Sequence, residues 1–203
     1  MARLTRGRAP LAAIVGGAIW AVTPLRQQVV GSGGDPRDGQ VTFRLYNLLI
    51  VVIAVLLFIA LRELRNRWPH PVPRWLDIGW STVVVGTLAM LFMSLPAVVL
   101  GGAARGVVIA TQDLGFFAAV LASMGAVLMG AVGLRRGLLP TVAGWLFVLA
   151  FPLGLLLTIA LAGTSLPEDV AGLPLTLLYG GAFVALGLAW WARDRRPEGA
   201  GVS

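Results

Sequence analysis

The amino-acid sequence predicts an all-α fold, a polytopic transmembrane bundle of six helices with both termini in the cytoplasm. Three observations predict it. Hydrophobic residues make up 58% of the 203-residue chain and charged residues only 12%, against about 25% charge in a soluble domain. A chain so poor in charge cannot cover a water-facing surface, so lipid is its expected solvent. The apolar residues fall into six long runs, and the arginines cluster in alternate connections between them. The whole chain, 1–203, reads as a single integral membrane domain.

A spanning helix needs about 20 apolar residues, with roughly 17–25 tolerated. The expected spans are 9–25, 43–61, 78–100, 112–134, 138–162 and 173–192. Strands fit poorly, because the runs lack period-2 alternation and are about twice the length of a barrel strand.

The first span is the weakest. A basic opening (Met1 to Arg8) before a short apolar run also describes a secretory signal peptide. No small-x-small cleavage site follows, and Pro24-Leu25-Arg26 is a poor one, so a retained helix is expected. Its Ala13, Gly17 and Ala21 form a stripe suited to close helix approach. The second span is bulky and β-branched from Leu48 to Leu57, which suits a lipid-facing or peripheral position. Pro96 in the third and Pro152 in the fifth each remove a backbone donor and predict kinks. The fourth carries Ala118, Ala122, Ala126 and Gly130, and the sixth Gly181, Ala185 and Ala189. Those two helices are therefore expected at the centre, with tight crossings. The small faces of the first and sixth suit a dimer interface equally well.

Orientation follows from the arginines. All sixteen basic residues are arginine, and the net charge is +7. Arg3, Arg6 and Arg8 lie in the N-terminal tail, Arg62, Arg65, Arg67 and Arg74 in the second connection. Arg135 and Arg136 lie in the fourth, and Arg193, Arg195 and Arg196 in the C-terminal tail. The opposite side holds Arg26, Arg37, Arg44 and Arg105, diluted by Asp35, Asp38, Asp113, Glu168 and Asp169. The positive-inside rule then places both termini in the cytoplasm. Trp68, Trp75, Trp80, Trp145, Trp190 and Trp191 fall near the same ends of the spans and read as an inner-leaflet aromatic belt. Arginine clusters between apolar runs suit loops facing anionic lipid, so membrane lipids are expected partners and nucleic acid is not. Exclusive use of arginine reads as the mark of a GC-rich genome, and the expected location is the cytoplasmic (inner) membrane of a prokaryote.

Ionisable residues deep in a span would be the default functional site, and these spans have essentially none. The sharpest candidate is a ligand-binding pocket facing outward, made by Arg44 and Asn47 of the second span with Gln112 and Asp113 of the fourth. Asp113 lies about 22 residues from Arg135, roughly 33 Å along a helix. That depth is the outer interface, where the competing reading is a helix end with polar groups among the headgroups.

Other constellations carry less. Met90 and Met93 on the third span and Met124 and Met129 on the fourth are soft ligands suited to Cu(I), but methionine is a common filler of apolar gaps. His70, the only histidine, sits among Pro69, Pro71 and Pro73, which reads as a stiff connector. The glycine-rich stretch Gly31 to Gly39 lacks the order of a phosphate-binding loop. With no cysteine there is no disulfide, thiolate nucleophile or cysteine metal site. No metal, no cofactor and no enzymatic activity are expected. The expected function is a non-enzymatic accessory or interaction module, partnered by another membrane protein or by a second copy. The alternative is a small permease or a binder of lipid-like molecules that uses the outer polar pocket.

Overall fold

A computed structural model describes residues 8–25, 40–101, 105–164 and 168–195, and among these every regular element is helical. Helix α1 is Arg8–Val22, ending in a tight turn at Thr23–Leu25. It is followed by α2 (Gln40–Asn66), α3 (Arg74–Leu100) and α4 (Arg105–Arg135). Then come α5 (Thr141–Ala150), α6 (Pro152–Ala162) and α7 (Glu168–Asp194).

Length sorts them. The apolar stretches of α2, α3, α4 and α7 are each long enough to cross a membrane, and α5 with α6 makes a fifth if the bent pair is one span. The bend of 48° falls at Phe151–Pro152. Pro152 has no N–H for the preceding turn and its ring crowds that turn's carbonyl. The ladder resumes with Leu155 N–H donating to the Phe151 carbonyl at 2.9 Å. Pro96 lies inside α3, which stays helical through it to Leu100. The helix ends there because Gly101 adopts φ 57°, its N–H capping the Ala97 carbonyl. The apolar helix α1, 15 residues or about 22 Å, is shorter than those spans.

The helices pack in chain order: α1 on α2, α2 on α3, α3 on α4 and α4 on α5. Helix α7 closes the circuit by packing on α5 and α1, while α6 lies along α7. The result is a ring with antiparallel neighbours. One end, called here the arginine-rich end, gathers the α2–α3 and α4–α5 connections with the last turn of α7.

Small residues set the seams. A methyl group at Gly86 would stand 2.6 Å from the Ala122 Cβ, and one at Gly79 would stand 2.7 Å from the Met129 backbone nitrogen. Helices α3 and α4 therefore touch backbone to backbone. On α4 the expected stripe Ala118, Ala122, Ala126 and Gly130 is buried throughout. On α1, Ala13, Gly17 and Ala21 are likewise buried. On α7 the crossing uses a different face from the expected one. Gly180 and Gly187 meet α1, whereas Gly181, Ala185 and Ala189 are half-buried. Helix α7 packs on α1, α5 and α6, whereas α4, packed on α3 and α5, is a ring member: small residues license close approach without requiring a helix to be surrounded.

Outward faces are aliphatic and aromatic. On α2, Leu48, Val52, Val55 and Ile59 are exposed along one helical stripe while Ile53, Leu57, Ala60, Leu61 and Leu64 are buried opposite. The bulky segment is peripheral on one face only. Phe92, Val99, Phe117, Leu156 and Ile159 are also exposed. In water such a surface would far exceed what a soluble monomer presents.

Candidate functional site

Several polar side chains of the bundle pair with one another or with carbonyls. Tyr179 of α7 is hydrogen-bonded to the Thr87 hydroxyl of α3. Thr87 Oγ1 itself donates to the Val83 carbonyl at 2.9 Å, so the phenol is left as the donor to Thr87. Around this pair stand Trp20 of α1, with its ring centre 6.2 Å from that of Tyr179, and Phe147 of α5, at 6.3 Å. Phe183 closes the group edge-on to both Phe147 and Tyr179. Edge-to-face rings at this spacing attract one another beyond simple burial. The cluster ties four helices together at the middle of the bundle. Sequence reading passed over it, although Tyr179 and Thr87 are hydroxyl-bearing residues in mid-span.

Of the outer polar group, the side chains of Arg44 and Asn47 lie among the described residues. Asn47 is buried, and its Nδ2 donates to the Phe43 carbonyl one turn back at 2.9 Å. Arg44 is exposed but leans onto the end of α3, where a Cβ at Gly101 would collide with its guanidinium. The backbone of Gln112 and Asp113 lies in α4, and their side chains lie outside the described residues. Helix α3 runs between α2 and α4, packed on both. Arg44 is thus brought to α3.

The arginine-rich end is the most elaborated part of the molecule. Arg67, just past α2, pairs with Glu63 at 3.0 Å and with both carboxylate oxygens of Asp194, the last residue of α7, at 3.4 and 3.2 Å. Its guanidinium also lies 4.8 Å from the Trp190 ring centre. One side chain therefore joins two helix ends. Arg65 pairs with Asp77 of α3 at 3.0 Å and lies between the rings of Trp68 and Trp80. The Trp80 indole N–H donates to the Leu61 carbonyl at 2.8 Å. Glu63 and Asp77 are both helix residues with assigned arginines. The expected tryptophan belt also divides. Trp75, Trp145 and Trp191 are exposed, whereas Trp68 and Trp190 are buried beneath the arginines.

His70 is exposed on the α2–α3 connection, its Nδ1 3.3 Å from the Trp68 carbonyl oxygen. The methionines do not converge: Met124 is exposed and Met129 buried on the same helix. Among the described residues no group of three or more His, Asp and Glu side chains could hold a metal ion. Compared with family models, curated proteins and solved structures, the chain matches none. What the protein does must therefore be argued from its own residues.

Proposed function

We propose that the chain is a six-span protein of a prokaryotic cytoplasmic membrane, acting by interaction as a non-enzymatic accessory module. The observation that carries the reading is the division of its surface. The flanks present leucine, valine, isoleucine and phenylalanine, while one end presents arginine over tryptophan. Lipid suits the first surface, and an anionic headgroup layer suits the second.

Helix α1 serves as the sixth span. Its 15 helical residues and the three-residue tight turn together reach about 28 Å, close to the roughly 30 Å of a hydrocarbon core. An even number of spans keeps both termini on one side, and the arginines make that side the cytoplasm. The arginines stand at helix ends, stacked on indoles and paired with carboxylates, in a layer rather than along a groove. That arrangement supports lipids as partners, together with another membrane protein or a second copy against the aliphatic flanks.

Native mass spectrometry of the protein gently extracted from its own membrane tests this reading. A stoichiometric partner protein or a second copy is the expected result. A lone chain carrying a small molecule would overturn it in favour of the alternative, a small permease or binder of lipid-like molecules working near Arg44 and Asn47.

A further inference from the structure

Between the end of α2 and the start of α3 lies a box with more hydrogen-bond donors than acceptors. The Arg65 guanidinium carbon is 6.0 Å from the Trp68 ring centre and 5.8 Å from that of Trp80. Arg65 Nη2 is taken by Asp77 and the Trp80 indole N–H by the Leu61 carbonyl. Arg65 Nη1 and Trp68 Nε1 are buried and have no acceptor. Trp68 is only 4% exposed, so bulk water does not serve its N–H. Nη1 carries two N–H groups and an indole one, and none of these can accept. A buried donor left unpaired is costly, and here two neighbouring side chains leave theirs unpaired together.

We propose that this box binds a phosphate group, supplied by an anionic phospholipid of the inner leaflet; the inference rests on the membrane reading above. The deficit is of acceptors alone. A water molecule placed there would accept from both side chains but bring two protons needing acceptors of their own. The unprotonated oxygens of a phosphodiester accept and bring none. Guanidinium matches phosphate geometry with paired N–H groups. Asp77 holds one edge of Arg65 and offsets part of its charge. The stretch from Arg62 to Asp77 nevertheless has four arginines against Glu63 and Asp77, and Arg62 and Arg74 are exposed. The Arg65 side chain is itself 27% exposed, so turning its guanidinium presents Nη1 outward without moving a helix. Trp75, 62% exposed, marks the same end as interfacial.

The test uses the full chain, stripped of lipid in detergent and then offered phosphatidylglycerol, diacylglycerol or inorganic phosphate, with adducts counted by native mass spectrometry. One phosphatidylglycerol per chain is expected to survive activation that removes diacylglycerol. Trp68→Phe keeps the ring and loses only the N–H; Arg65→Lys keeps the charge and loses Nη1. Each should lower retention about tenfold, the worth of one hydrogen bond to a charged group. Inorganic phosphate that displaces the lipid, or binds in its place, supports the anion site and gives it a soluble source. Equal retention of phosphatidylglycerol and diacylglycerol overturns the site, as does undiminished retention in both folded variants. Neither result touches membrane integration, which is read separately by whether the chain stays in the membrane pellet after alkaline extraction.

Discussion

A hydroxyl inside an apolar bundle has to find a partner, and the Tyr179 phenol finds Thr87. Removing the phenol oxygen with Tyr179→Phe leaves Thr87 still donating to the Val83 carbonyl. The expected loss is about 0.5–1 kcal/mol, in the range of one hydrogen bond between membrane helices. Removing the other partner with Thr87→Val strands the buried phenol O–H, which costs about 1–3 kcal/mol. Reversible unfolding in mixed detergent should rank the two variants in that order, and the reverse order would show that the pair does not hold α3 to α7. The pair was hard to read from sequence because tyrosine and threonine in a span raise no alarm: their polarity disappears once each finds an acceptor. Arg44 and Asn47 were legible because charge and amide are conspicuous in an apolar run. Trp68 and Trp190 read from sequence as interfacial, and their burial was not legible. Burial depends on Arg65 beside one, and on Arg67, far off in sequence, covering the other.

At the scale of a helix, adjacent glycines on α7 separate packing from propensity. A Cβ at Gly180 would fall against the Gly17 carbonyl oxygen and 2.7 Å from the Ala21 nitrogen. Both obstacles are backbone, so Gly180→Ala must push α1 and α7 apart, at about 1–3 kcal/mol. A Cβ at Gly181 meets only the end of Leu146, at 3.8 Å. There alanine improves the helix by up to about 1 kcal/mol. Thermal stability in detergent should therefore move in opposite directions for Gly180→Ala and Gly181→Ala; parallel shifts would mean that the α1–α7 seam is not the close contact described. This seam also marks the limit of pattern reading. On α1 and α4 one small-residue register stands out, and those residues are buried. On α7 two registers compete, one through Gly180 and Gly187 and one through Gly181, Ala185 and Ala189. Only the partner helix chooses between them. At Pro152 the chain bends, and the two half-helices α5 and α6 both pack on α7.

For the whole molecule, the helices themselves were the most legible feature, since long apolar runs have no other way to satisfy their backbones in lipid. Their circular order was not legible, because nothing in a run states which neighbours it will touch. The Arg67 bridge shows why: it reaches Asp194, 127 residues away in sequence, to tie the ends of α2 and α7. Orientation and the status of α1 remain the consequential proposals, and the absence of cysteine makes them directly testable, because every introduced thiol is a unique label. If α1 crosses the membrane and the arginine-rich end faces the cytoplasm, a membrane-impermeant maleimide applied to intact cells should label Ser32→Cys and Thr164→Cys. Thr5→Cys and His70→Cys should react only after permeabilisation. Labelling of Thr5→Cys and Ser32→Cys alike would show that α1 does not cross, since the two sites flank it. Labelling of His70→Cys with protection of Thr164→Cys would invert the bundle. That outcome would remove the inner-leaflet phosphate site as well, because Arg65 and Trp68 would then face the outer headgroups.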